Sequence, residues 1–226
     1  MNLQGLETLV WDLDGTVIDS FGIFSEVLGN VVPNYGRQMP NEQTIRANYH
    51  GSLHDSIDAA LGGIKNDELE KIVADFLSIQ DAHYEVVEHH IFPDALGLAR
   101  RARAAGMYQV LVTNRNHEGR LNASPRSIVE RSSLKTLIDE VVCGDDTEHR
   151  KPKPAVIEHL LKTGKVRGEK AVVVGDQFVD AQFAHNLGST AILVERSGLE
   201  IAHLDTFTPE DRDRIVIVSS LDEITL

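Results

Sequence analysis

Asp12 and Asp14 stand two residues apart at the end of an apolar run, Leu6 to Trp11, interrupted only by Glu7 and Thr8. Side chains of an extended segment alternate with period two, so both carboxylates face the same side, at the mouth of a sheet. Two carboxylates in one small space repel unless a cation neutralises one or a proton sits on the other. That arrangement separates a nucleophile or metal ligand from a general acid. Three further positions carry unusual polar residues: Thr113-Asn114 after Tyr108 to Val112, Lys151 ahead of Pro152, and Asp176 with Asp180 after Ala171 to Val174 and Gly175. The four carboxylates and one lysine carry a formal charge of −3, which a divalent cation reduces to −1. Every candidate ligand is a hard oxygen and no Cys or His cluster has zinc spacing, so Mg²⁺ is the expected ion. Magnesium keeps waters and combines one or two carboxylates with a phosphate oxygen, so a phosphoryl substrate completes such a site.

The elements that must position these residues are legible from periodicity. Apolar runs predict strands at Leu6 to Trp11, Tyr108 to Val112, Glu140 to Cys143, Ala171 to Val174, Thr190 to Val194 and Ile215 to Val218, alternating with helices. Gly15 permits a sharp turn after the first. This alternation predicts an α/β fold with a doubly wound, Rossmann-like parallel sheet. From Asp19 to about His90 only helical periodicity is seen, which predicts an inserted all-helical domain: residues 18-89, against a core of 1-17 and 90-226. Its best helix is expected to be capped by Asn66 and to bear a stripe of Leu69, Ile72, Val73, Phe76, Ile79, His83, Val86 and Val87.

Composition bounds the function. The 226 residues include one cysteine, Cys143, so no internal disulfide forms. The first residues lack the basic region of a secretory signal, and a reducing cytoplasm is expected. No apolar run approaches the roughly 20 residues of a membrane helix. The formal charge of −13 argues against nucleic-acid or anionic-membrane partners. An anionic substrate must then be drawn in by local cations or a bound metal.

Asp12-Leu13-Asp14-Gly15-Thr16, the apolar strand ending in Thr113, Lys151 ahead of Pro152, and Gly175-Asp176 with Asp180 together resemble the four ordered motifs of the haloacid dehalogenase superfamily. The helical insertion resembles, more loosely, the C1-type cap of phosphoglycolate phosphatase-like and β-phosphoglucomutase-like members. The resemblance implies a Mg²⁺-dependent phosphatase of a small phosphorylated metabolite, working as a monomer or homodimer through an aspartyl-phosphate. By resemblance, Asp12 is the nucleophile and Asp14 the general acid and base. Thr113, the Asn114 backbone and Lys151 bind the phosphoryl group, and Asp12, Asp14, Asp176 and Asp180 form the metal site. The alternatives are a phosphosugar mutase, disfavoured because Gly51 is followed by Ser52, Leu53 and His54 rather than by an early Arg, and a non-catalytic binding protein on the same fold. Arg46, His50 and His54 in the insertion, and Arg115 and Arg120 in the polar segment after Thr113, are the candidates for contacting the rest of the substrate. His117 belongs to the second group. Taken singly, each is an ordinary solvated side chain.

Overall fold

A computed structural model describes residues 1–49, 52–118, 121–196 and 201–226. The strands β1 (Thr8–Trp11), β2 (Tyr108–Val112), β3 (Glu140–Val142), β4 (Ala171–Gly175), β5 (Thr190–Val194) and β6 (Ile215–Val218) form one all-parallel sheet in the order β3-β2-β1-β4-β5-β6. The chain winds outward from β1 to β3, then returns to β4 on the other side of β1 and winds outward again. The direction therefore reverses between β1 and β4, and open α/β sheets bind ligands beyond the carboxyl ends of the strands at that reversal. Trp11 pairs with Leu111 on one side and Val174 on the other, so β1, β2 and β4 leave the sheet at one level.

Helices α1 (Ser20–Val31), α2 (Glu42–Ala47), α3 (Leu53–Ala60) and α4 (Asn66–His83) lie within one compact unit, Asp19–His90. Helices α5 (Pro93–Ala104), α6 (Pro125–Glu130), α7 (Glu158–Lys162), α8 (Phe178–Leu187) and α9 (Pro209–Arg212) belong with the sheet to the other, Met1–Ile18 and Ile91–Leu226. β1 and β4 are buried along their whole length, which is why they read as near-continuous apolar runs. Val10, Val110 and Val173 share one side of the sheet with Ile157, Leu160 and Phe183 in a single cluster. Trp11 is fully buried, its indole N–H donating to Gln109 Oε1 at 3.0 Å, so the ring anchors the end of β1.

The start of α5 is tied to the chain's last turn. Asp94 accepts from Arg196 (2.7 and 3.1 Å), Leu221 N (2.9 Å) and Ser220 Oγ (3.2 Å). The Arg196 guanidinium also lies 3.8 Å from the Phe92 ring centroid and donates to the Thr16 carbonyl at 3.4 Å. Burial pushes Asp94 up, but the Arg196 and backbone hydrogen bonds outweigh it and hold the carboxyl below its usual range.

The helical unit packs α1 against α4 around aromatic rings. Phe24 meets Phe76 at 5.2 Å and Tyr49 at 4.9 Å, and Tyr49 meets Phe21 edge-on at 5.4 Å. Two expectations need correction here. Lys65, not Asn66, takes the cap position of α4, and Asn66 is its first helical residue. The stripe also stops short: α4 ends at His83, the chain tightens into a 3₁₀ segment with a kink at Val86, and that side chain is exposed while Tyr84 and Val87 are buried. Among the described residues, no helix is long and apolar enough to cross a membrane.

Candidate active site

Beyond β1 the chain turns sharply at Gly15, whose φ is +76°, and a Cβ placed there would lie 2.2 Å from Asp176 Oδ2. Both the left-handed backbone and the contact with Asp176 exclude a side chain. The turn brings the Thr16 hydroxyl to 3.3 Å from Asp176 Oδ1 and 3.4 Å from Asp12 Oδ2, so one hydroxyl bridges the ends of β1 and β4. Carboxylate oxygens of Asp12, Asp176 and Asp180 all lie within 4.8 Å of one another. The Lys151 ammonium joins this group, donating to Asp12 Oδ1 and, at 2.7 Å, to Asp180 Oδ1.

These are buried charges. The Lys151 and Asp180 side chains are 3% and 1% exposed. Asp180 spends its other oxygen on Gln177 N at 3.2 Å, in a reciprocal cap of α8. Gln177 takes the cap position of α8, and Asp176 stays turned to the cluster. Gly175 is needed for this packing, since a Cβ there would stand 2.3 Å from the Asp180 carboxyl.

The electrostatics show a deficit of positive charge. Burial pushes Asp12 up to about 7, with the Asp180 and Asp14 carboxylates adding to the rise and Lys151 opposing it. The protein packed round Asp176 raises it well above the usual carboxylate range, and Asp12, Asp180 and Asp14 raise it further. Burial alone would push Lys151 down, but two carboxylates in hydrogen-bond contact more than reverse this, and the ammonium stays charged. The oxygens of Asp12 and Asp176, with no sulfur or imidazole in their cluster, fit a hard divalent cation.

The ends of β2 and β3 supply the rest of the site. Thr113 is buried and its Oγ1 accepts from Arg115 N at 3.0 Å. The Asn114 side chain is spent on the Lys151 backbone: its Oδ1 accepts from Lys151 N (2.9 Å) and its Nδ2 donates to Lys151 O (3.2 Å), beside a cis Lys151–Pro152 bond. Arg150 donates to Asn114 O (2.7 Å) and Asn116 Oδ1 (2.6 Å). Sequence reasoning quoted Thr16 in the first motif without giving it a role, and missed Arg150 and Gln177, for which adjacency to Lys151 and Asp176 was the available signal.

Arg115 lies against Asp14, donating through Nε to Oδ2 at 3.1 Å and through Nη2 to Oδ1, with its side chain only 10% exposed. His117 contacts Ser124 Oγ at 2.5 Å, and its backbone N–H donates to Asp145 Oδ1. Within the helical unit, Arg46 stacks 4.0 Å over the Phe21 ring and pairs with Glu42 at 2.7 Å, while His54 pairs with Glu70 at 3.3 Å. Both are thus occupied by neighbours in their own unit. His50 and Arg120 lie outside the described residues.

The chain is similar over most of its length to known proteins. A phosphoglycolate phosphatase of Colwellia psychrerythraea is 28% identical over 200 residues, 85% of this chain and 86% of that protein. The pyrophosphatase PpaX of Bacillus anthracis is 26% identical over 210 residues, 91% of this chain and 90% of that one. A crystal structure of a predicted phosphoglycolate phosphatase from Haemophilus somnus superposes with a TM-score of 0.74 at 16% identity, covering 97% of this chain and 96% of that one. A Streptococcus pneumoniae haloacid dehalogenase-like hydrolase gives 0.70 at 19%, covering 97% and 96%. At such identities the structural likeness establishes the shared fold. The profile of the haloacid dehalogenase-like hydrolases matches residues 9–194, a span that runs from β1 to β5 and holds every acidic strand end described above, and the chain belongs to that family.

Proposed function

We propose that this protein is a Mg²⁺-dependent phosphatase that hydrolyses a small phosphomonoester through an aspartyl-phosphate on Asp12. The observation that carries this reading is the buried Lys151 ammonium held between Asp12 and Asp180, with Asp176 completing an oxygen cluster at the winding reversal of the sheet. The names of the sequence relatives, phosphatase and pyrophosphatase, support the substrate class. The mutase reading has no observation of its own in its favour. In the same reading, residues 18-89 act as a cap on a core of 1-17 and 90-226.

Asp12 attacks phosphorus as the bond to the leaving oxygen breaks, and Asp14 gives that oxygen a proton. Asp14 then takes a proton from water, whose oxygen attacks phosphorus and breaks the bond to Asp12, releasing phosphate. The Thr113 hydroxyl and the Asn114 backbone N–H donate to the phosphoryl oxygens, and Lys151 offsets their charge while orienting Asp12. Asp12, Asp176 and the main-chain carbonyl of Asp14 would hold Mg²⁺, with Asp180 fixing Lys151 and a metal-bound water. The dication, when bound, neutralises charge on the phosphoryl oxygens. Phosphate release from a panel that includes 2-phosphoglycolate and pyrophosphate tests the proposal: it should require Mg²⁺ and vanish in Asp12→Asn. Undiminished turnover by that variant would rule out the nucleophile.

A further inference from the structure

Arg115 occupies the acid that must serve the leaving group, and it does so from a fixed position. Its N–H donates to Thr113 Oγ1 at 3.0 Å, its carbonyl accepts from Gly144 N at 2.8 Å, and its Nη1 donates to Ala123 O at 3.1 Å. The surrounding loops are themselves clamped. Asp145 accepts from the backbone N–H groups of His117 (2.7 Å) and Glu118 (2.8 Å), and Asp146 takes a close pair of contacts from Arg126. The guanidinium fork occupies an acceptor site on each oxygen of the Asp14 carboxyl. To deliver a proton Asp14 must be released, and the acceptor that replaces it on a planar fork is another carboxylate or a phosphoryl group. A neutral alcohol offers no such exchange.

We infer that Arg115 is a specificity-determining residue that selects phosphomonoesters whose leaving group carries a second negative charge near the bridging oxygen, taking that anion in place of Asp14. The inference rests on the phosphatase reading of the same site and names its substrate class. Arg115 is thereby both tether and receptor: it parks Asp14 until an anionic leaving group arrives, then fixes that group beside the released acid.

The test compares kcat/KM for 2-phosphoglycolate, pyrophosphate and ethyl phosphate, which share a phosphoryl group and differ in whether the leaving group ends in carboxylate, phosphate or methyl. The wild-type enzyme should favour at least one anionic substrate over ethyl phosphate by about tenfold or more, and which one identifies the anion. Arg115→Ala and Arg115→Gln should slow all three, since Asp14 loses its tether, but slow the favoured anionic substrate on the order of 10- to 100-fold more. Arg115→Lys, which keeps the charge and loses the fork, should retain part of the preference. Circular dichroism and a cooperative melt report whether each variant folds. Binding of phosphonoacetate against ethylphosphonate, measured by calorimetry, reads the same contrast without turnover. An equal fall on all three substrates, or a wild-type enzyme indifferent to the second charge, overturns the inference alone. No phosphate release from any of the three by wild-type protein would instead fell the phosphatase reading, and the inference with it.

Discussion

The strand ends of the sheet and the surface of the helical unit carry charge in opposite ways. At the strand ends Lys151, Asp180, Asp12 and Arg115 are shut away from water, with Lys151 shared by Asp12 and Asp180 and Arg115 paired to Asp14. On the helices an ion pair such as Arg46 with Glu42 stands in open solvent, its side chains 34% and 70% exposed. Exposed pairs contribute about 0–1 kcal/mol each, and their neighbours barely notice them. Buried charges cost several kcal/mol to desolvate and persist only when each is paired. Gathering four carboxylates and two cations at these strand ends is therefore poor stability design, and burial with like-charged neighbours pushes Asp12 and Asp176 upward. Such strain belongs to the site's chemistry, whereas the helical unit is held by its aromatic core.

Breaking the network should hurt far more than breaking the surface pairs, beginning with the chemistry. Asp12→Asn is expected to reduce phosphate release by about 10³-fold or more while the protein still melts cooperatively, read by steady-state kinetics beside circular dichroism. Lys151→Met leaves Asp12 and Asp180 facing each other without a cation, and urea titration at pH 7 should show a loss of about 3–5 kcal/mol. Gly15→Ala forces a methyl into Asp176 and strains a positive φ, so about 1–3 kcal/mol of stability should go together with most of the activity. Added Mg²⁺ should raise the melting temperature of the wild type by mass action, and an equal rise in Asp176→Asn would remove that carboxylate from the metal site. Glu42→Ala, on the helical unit, should change stability by about 0.5 kcal/mol or less.

A pH series sharpens the contrast at a pair of intermediate burial. The folded pKa of Asp94 is depressed, so its ion pair with Arg196 contributes stability above the unfolded value near 4 and loses it as pH falls through the lower folded value. The stability gap between wild type and Arg196→Met should stay level from pH 5 to 8 and shrink below about pH 4. A gap that stays level down through acid would show that the Phe92 stacking, not the ion pair, dominates.

Much of this was readable because it is local. Apolar runs mark β1 and β4 as buried strands, and prolines and glycines punctuate the helices between them. The kink at Val86 was less readable, since a helical stripe continues in the sequence past the point where the backbone stops supporting it. Asn114 reads as a phosphate neighbour by position, but its side chain is taken by the Lys151 backbone, 37 positions on. Arg115 reads as one of several loop cations, and nothing near it in the chain points to Asp14, 101 positions away.

The amino-acid sequence by itself determined which residue types stand at which strand ends, because backbone periodicity and turn chemistry act over a few residues. Only the tertiary structure decided which of those charges would be partners. Pairing depends on distances of about 3 Å between groups far apart in the chain, and the parallel register of the sheet with its clamped loops sets those distances. The same acids could have been solvated singly. Burial makes Asp12 and Asp180 share Lys151 while Arg115 holds Asp14, and leaves a deficit of positive charge that a divalent cation would fill.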